Sequence, residues 1–303
     1  MISDGSTKVT FFAGLNTIGG VHVLIRSEDH GLLFDFGVPG NRDDLFSPRF
    51  ALDSGHTLAT FLHTGMAPPL MDAFDPALLQ YVNQSVVESF WKQRGVLLEE
   101  FAKIEHLSVF ISHMHQDHMT LLPYAREGLP VYMHRDAAAL YECIEQAGEY
   151  AGTKADIRPL SDEDSVRHGP ITLTLLEVDH DTPGAAGFIA ETEDHKIAFT
   201  GDWRGHGRHP ERMDRFASHC RTREVSMLIT ETTMLSFGSS VKARSVVSES
   251  EVVSGMEETI ISATSLVYVN ILARNIERFA DLIAMCARQG RYLVTDENTA
   301  EFW

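Results

Sequence analysis

A mixed α/β (α+β) fold is what this sequence predicts, on three observations. Short β-rich runs near the start are split by Gly-rich or polar turns. A long run with apolar residues at helical spacing follows them. Beyond it, apolar strand-like runs end repeatedly in turns that carry histidine or aspartate.

From the N-terminus, residues 9–12, 21–26 and 31–36 read as an antiparallel meander. The third run closes on Asp35, a carboxylate in apolar surroundings. Such a charge is costly unless paired or placed at a site edge, so a hydrogen-bonded turn role and a direct role both stand. Residues 38–76, rich in Pro, Asp, Gly and His, read as a long irregular insertion, a kind of loop that often lies over a functional face. His56 and His63 lie within it without ligand spacing. Asp75-Pro76 supplies an N-cap and a proline at the first helical position. Leu78, Leu79, Val82, Val86, Val87, Phe90 and Trp91 then recur at roughly helical spacing over residues 77–104, with Gly95 expected to divide two helices.

Residues 107–111 read as a buried strand, 119–127 as a short helix, 130–133 as a strand and 136–148 as a helix, with His134 structural. Residues 171–178 are a further strand, 187–192 and 196–200 a hairpin, and 225–230 a strand ending at Glu231. Ser and Gly dominate 236–248, a linker. Helix 249–262, strand 266–271, helix 275–289 and strand 292–295 then suggest a separate α/β unit with a parallel sheet.

Composition narrows the function. The formal charge of −18, from 25 Lys+Arg against 43 Asp+Glu, argues against a nucleic-acid surface built from this chain alone. The longest basic cluster is 203–215, with Arg204, Arg208, Arg212 and Arg215; a solvated helix face is expected there ahead of phosphate contacts. The start has neither basic residues nor an apolar run, so no signal peptide is expected. No window approaches the ~20 apolar residues of a membrane span. Cys143, Cys220 and Cys286 are odd in number and far apart, which fits a reduced, cytoplasmic compartment.

Chemistry concentrates in Ile111-Ser112-His113-Met114-His115-Gln116-Asp117-His118. In an extended segment His113 and His115 point to one side, and Asp117 and His118 then enter a helix whose N-terminus favours a carboxylate. His180 and Asp202 close two later strands. A catalytic metal takes about three protein ligands and one open position. His113, His115 and His180 would serve a first ion, Asp117 and His118 a second, with Asp202 between them. Asp117 and Asp202 are the candidate catalytic carboxylates. Such donors suit Zn2+, Mn2+ and Fe alike.

The order His113-x-His115-x-Asp117-His118, then His180, then Gly201-Asp202 resembles the metallo-β-lactamase superfamily, and Asp35 matches its first motif. Within it, Asp179-His180-Asp181-Thr182-Pro183-Gly184, Phe199-Thr200-Gly201-Asp202, Thr230-Glu231-Thr232-Thr233 and Asn275-Ile276-Glu277-Arg278 resemble segments of the beta-CASP, RNase J-like nucleases.

The resemblance implies an αββα sandwich over residues 1–235, a linker at 236–248 and the beginning of a beta-CASP-like cap at 249–303. It implies one or two zinc ions, a supporting role for Glu231, and exonucleolytic hydrolysis of RNA phosphodiesters. The family carries a further metal histidine and closing strands downstream, whereas 236–303 has no histidine, so either a longer parent protein or a truncated relative is expected. RNA is the expected partner; neither a DNA-specific motif nor a membrane segment is present, and a homo-oligomer stays open. Two other readings remain: a hydrolase of a small ester, thioester or lactone, and an inactive metal-binding scaffold in an RNA-processing assembly.

Overall fold

The computed structural model describes residues 2–4, 6–15, 17, 19–39, 54–98, 101, 104–232 and 247–300. Two sheets face each other. The first holds β1 (Ile2–Asp4), β2 (Thr7–Ala13), β3 (His22–Ser27), β4 (His30–Phe34), β5 (His106–Phe110), β6 (Pro130–His134) and β7 (Asp156–Leu160), in that spatial order. Strands β1 to β4 are antiparallel, β2 to β4 being the expected meander and β1 an addition to it, and β4 to β7 run parallel. The second sheet has the order β12 (Met227–Ile229), β11 (Lys196–Phe199), β10 (Ala186–Glu191), β9 (Ile171–Glu177), β8 (Ser165–His168).

Period-two alternation sorts each strand between two cores. Leu32 and Phe34 of β4, Phe110 of β5 and Tyr132 of β6 face the second sheet, where they meet Leu173, Leu175, Phe188 and Phe199. The Phe34 ring stacks on Phe188 at 4.8 Å and on Phe199 at 5.3 Å. Full burial of one such side chain contributes about 1.5–3 kcal/mol. Leu33, Val109 and Val131, the alternate residues, face helices α1 (Ser54–Thr64), α3 (Gln84–Lys92) and α5 (Arg135–Gln146). On the far side, α6 (Glu211–Thr222) lays Phe216 against Ile189 and Ala198. The layers are therefore α, β, β, α, the sandwich expected.

Several boundaries differ from expectation. The insertion at 38–76 contains α1, because Leu58, Ala59, Phe61 and Leu62 bury one helical face; residues 40–53 of it lie outside the described residues. The 77–104 run breaks earlier than Gly95, into α2 (Pro76–Leu79), capped by Asp75, and α3. Gly95, at φ +75°, instead receives the end of α3: its N–H donates to Lys92 and that of Val96 to Trp91. The expected helix at 119–127 begins earlier, as α4 (Gln116–Met119), and 3-10 turn Leu122–Tyr124 follows it. Strands β7 and β8 were not expected; both are edge strands with few apolar residues, and Pro159 in β7 suits an edge.

Residues 247–300 carry α7 (Glu249–Ser262), α8 (Ile276–Arg288) and α9 (Glu297–Ala300). A capping box of Ser248 and Glu251 starts α7, and the Asn275 side chain caps α8. The strands expected at 266–271 and 292–295 are absent among the described residues, so the segment expected to be an α/β unit is helical here. A strand needs a ladder partner, and Tyr268, Tyr292 and Val294 stand exposed. The linker expected at 236–248 lies, over 236–246, outside the described residues. No helix among the described residues is long and apolar enough to cross a membrane.

Candidate metal centre

Four apolar strands bring the expected site residues together. Beyond Phe34 of β4 comes Asp35; beyond Phe110 of β5, His113 to His118; beyond Glu177 of β9, His180; beyond Phe199 of β11, Asp202. The loop after β5 is tied to the second sheet where the Ala186 N–H donates to the Ser112 carbonyl at 2.9 Å.

One cluster is three imidazoles. His113 Nε2 lies 3.0 Å from His115 Nδ1, which lies 3.3 Å from His180 Nε2. His113 Nδ1 is turned to Ser112 Oγ, 2.9 Å away. Burial pushes all three imidazoles down, His113 well below its ordinary value and His180 to about 4. They are therefore neutral at neutral pH, the form in which a ring nitrogen offers its lone pair to a metal.

The second cluster is anionic. His118 Nε2 lies 3.7 Å from Asp117 Oδ2 and 3.6 Å from Asp202 Oδ2. Its Nδ1 faces Asp35 Oδ2 at 2.8 Å. Fully buried Asp35 also accepts from the Ser112 N–H at 2.7 Å and the Ser112 hydroxyl at 3.0 Å, and adopts φ +59°. Such backbone strain gathers at functional sites. Burial opposes a charge on His118, yet Asp35 and Asp202 outweigh it and raise the imidazole well above its ordinary value. Asp202 is opposed by burial too, but the His118 contact holds its carboxyl low. The pocket thus favours a positive charge where a cation would sit.

Backbone without side chains makes room for Asp117. A Cβ at Gly19, where φ is +67°, would run into the Asp117 carboxylate, and one at Gly37 into its carbonyl. The Gly20 N–H donates to that carbonyl at 2.9 Å. Fully buried His22, pushed down to about 4 by burial, is hydrogen-bonded through Nε2 to the Gly37 carbonyl at 2.8 Å.

Both clusters fit a divalent ion. His113, His115 and His180 keep one ligand atom each within 4.8 Å of one another, as do His113, His118 and Asp202. The Nε2 atom of His118, turned to Asp117 and Asp202, is buried without a hydrogen-bond partner, an arrangement that a bound cation would relieve. Glu231, half-buried just beyond β12, belongs to neither group, although Thr230 beside it accepts from Trp203 Nε1 next to Asp202.

Sequence reasoning missed some partners. Asp181 Oδ1 lies 3.3 Å from His115 Nε2 and 3.4 Å from His180 Nε2; its place beside His180 was the available signal. Fully buried Asp179 accepts from the N–H groups of Gly207 and His209, pinning the loop after Asp202. Ser112, His22 and Arg274 carried no spacing signal. The solvated basic face expected at 203–215 is a set of ion pairs instead: Arg204–Glu249 at 3.3 Å, Arg212–Glu177 at 3.2 Å, Arg215–Asp162 at 2.7 Å and Arg208–Asp281. His134, expected to be structural, stands with Asp136 and Glu177 in a third group of potential ligand atoms. It accepts from the Asp136 N–H at the start of α5, and its neighbour Glu177 is engaged by Arg212.

Comparison with known proteins agrees with this architecture. The model of the beta-lactamase superfamily domain matches residues 74–231, just over half of the chain. The crystal structure of a protein of unknown function from Enterococcus faecalis V583 matches with TM-score 0.74 and 25% identity, over 98% of this chain and 66% of that one. The chain thus spans just under two thirds of that protein's length. The metallo-beta-lactamase fold protein YhfI from Bacillus subtilis matches at TM-score 0.36 and 18% identity, over 71% of this chain and 67% of that one. MEM-A1, a subclass B3 metallo-beta-lactamase from a soil metagenome library, matches at 0.39 and 16%, over 75% and 76%. No curated protein sequence matches. The domain match, the paired sheets flanked by helices and the histidine-aspartate edge agree: the chain belongs to the metallo-β-lactamase superfamily.

Proposed function

We propose that the chain is a metal-dependent hydrolase acting on phosphodiesters, with RNA as its substrate and RNase J-like shortening of the chain as its reaction. The observation that carries this reading is the pairing of two unlike ligand clusters that share His113, one neutral and one anionic. His113, His115 and His180 would hold one ion; Asp117, His118 and Asp202 a second, with zinc the first expectation and manganese or iron suited to the same donors. Bound divalent ions supply Lewis acidity and activate water at neutral pH.

The chain's own residues do the rest. Asp35 fixes the His118 ring through Nδ1 and leaves Nε2 turned to Asp117 and Asp202. Asp202, held ionised, keeps a negative charge at the edge of the cluster. Asp117 is set in place by the close approach of Gly19 and Gly37. The resemblance of residues 275–278 to the beta-CASP cap supports a nucleic-acid substrate.

One observation favours a second reading, a small ester, thioester or lactone. Arg204, Arg208 and Arg212 are engaged by carboxylates, and the chain carries −18 overall. The deciding experiment offers labelled RNA and generic esters to the metal-loaded protein, with His115→Ala and Asp202→Ala as controls. Shortened RNA, lost in both variants, supports the nuclease. Ester turnover without salt-dependent RNA binding supports the small substrate. Neither activity, with one metal equivalent or none, leaves a scaffold.

A further inference from the structure

We infer that the C-terminal helical unit, residues 247–300, sets the geometry of the three-histidine cluster, with Arg274 as its positioning residue. The inference rests on the reading that His113, His115 and His180 hold a metal. Arg274 is 8% exposed and lies just before α8. Its Nη1 donates to the Met114 carbonyl at 2.6 Å, and its Nη2 to Glu149 at 2.5 Å. Met114 is the residue between His113 and His115, so this bond holds the backbone from which both imidazoles project. A guanidinium suits the task because its planar fork fixes two acceptors at once.

The same unit reaches the third histidine. Glu249, 5% exposed in the first turn of α7, accepts from Arg278 at 2.7 and 2.6 Å and pairs with Arg204 at 3.3 Å. Arg204 Nη2 in turn lies 3.5 Å from the His180 carbonyl, and the Arg204 N–H donates to the Asp179 carbonyl at 2.8 Å. Asn275, 4% exposed, accepts the Arg278 N–H at 3.2 Å and so orders the junction between Arg274 and α8. Both loops that deliver the imidazoles are thus gripped from residues far along the chain. The supports described for the His118 cluster, Asp35, Ser112, Gly19, Gly20 and Gly37, all come from the sandwich.

A merely structural arginine would matter only for docking the unit. A positioning arginine must also alter the ligand field of a metal held by the histidines. Cobalt(II) titration of the full chain, followed by its visible absorption, reads that field directly. Arg274→Ala should weaken uptake of the first equivalent by roughly 10–100-fold, the range typical of outer-shell partners, and shift the spectrum. Arg274→Lys, which keeps one donor for Met114, should recover part of the loss. Arg288→Gln breaks a 2.6 Å pair with Glu257 inside the unit and should leave uptake and spectrum unchanged. If Arg274→Ala fails to fold, Glu149→Gln keeps the guanidinium and removes one anchor; a severalfold weakening is expected. Wild-type uptake matched within about twofold by the folded variants, with the same spectrum, would overturn the positioning role. A wild-type chain that takes up no cobalt defeats the metal reading itself, which is a different result.

Discussion

The two ligand clusters share His113 and one sheet edge, yet they are stabilised on opposite terms. The His118 half is charged and self-sufficient: Asp35, Asp117 and Asp202 surround one imidazole, and Asp35 is secured by Ser112 within the adjoining loop. The three-histidine half is neutral. Its rings repel protonation, and its loops are braced by Asp181, Arg204 and Arg274. A cluster of charges organises itself around a buried counter-ion, whereas neutral ligands bring little mutual attraction and must be held by their surroundings. Substitutions near the first half should therefore register in stability, and those near the second in metal affinity.

The largest effect is expected at Asp35. Asp35→Ala strips a buried imidazole of its partner and leaves the Ser112 N–H without an acceptor. Breaking a buried pair in this way costs about 3–5 kcal/mol. Urea unfolding of the metal-free chain measures it, and a loss under about 1 kcal/mol would place Asp35 with ordinary exposed pairs and erase the contrast.

Asp181→Ala should do the converse. Asp181 is half-buried, and its Oδ1 meets the outer nitrogen of His115 without a hydrogen bond. Stability should move by no more than about 1 kcal/mol, while affinity at the three-histidine cluster falls roughly 10-fold or more. Metal competition against a coloured chelator reads the second number; unchanged affinity would remove Asp181 from the brace.

Gly19→Ala tests the other half with a smaller perturbation. At φ +67° a side chain costs about 1–2 kcal/mol, and this one would also press on the Asp117 carboxylate. The chain should then lose its second metal equivalent before its first. Equal loss of both would show that Asp117 is not specific to the His118 cluster.

The same asymmetry decided what could be read from the sequence. His113, His115, Asp117 and His118 were legible because ligand types fell at strand and helix spacing within one turn, and His180 and Asp202 because each closes an apolar strand. The meander was legible from alternation. Arg274 was not, because its partner Met114 offers a backbone carbonyl, which any residue could offer. The ion pairs of Arg204 and Arg208 were hidden for a related reason: Glu249 and Asp281 lie far along the chain, and a basic run looks solvated until its partners fold onto it. Residues 266–271 and 292–295 show the limit of local preference, since β-prone composition forms no strand without a neighbour.

The smallest expected effect is one of pH, and it concerns the brace. Glu249 is held below the ordinary glutamate value of about 4.5, first by its hydrogen bonds to Arg278, against burial, and then by the charges of Arg278, Arg204 and Arg208. A carboxyl lowered on folding contributes stability that is complete above the unfolded value and is lost as pH falls through the folded one. Docking of residues 247–300 should therefore weaken below about pH 4.5. Hydrogen exchange along α7 and α8 should accelerate there, beyond the intrinsic change with pH, before exchange in β4 and β5 does. Glu249→Gln should make the helices exchange quickly at pH 7 and flatten the acid response. If α7 and α8 stay as protected at pH 4 as at pH 7, the arginines hold the unit by packing and backbone bonds, and the neutral half of the site is braced without help from charge.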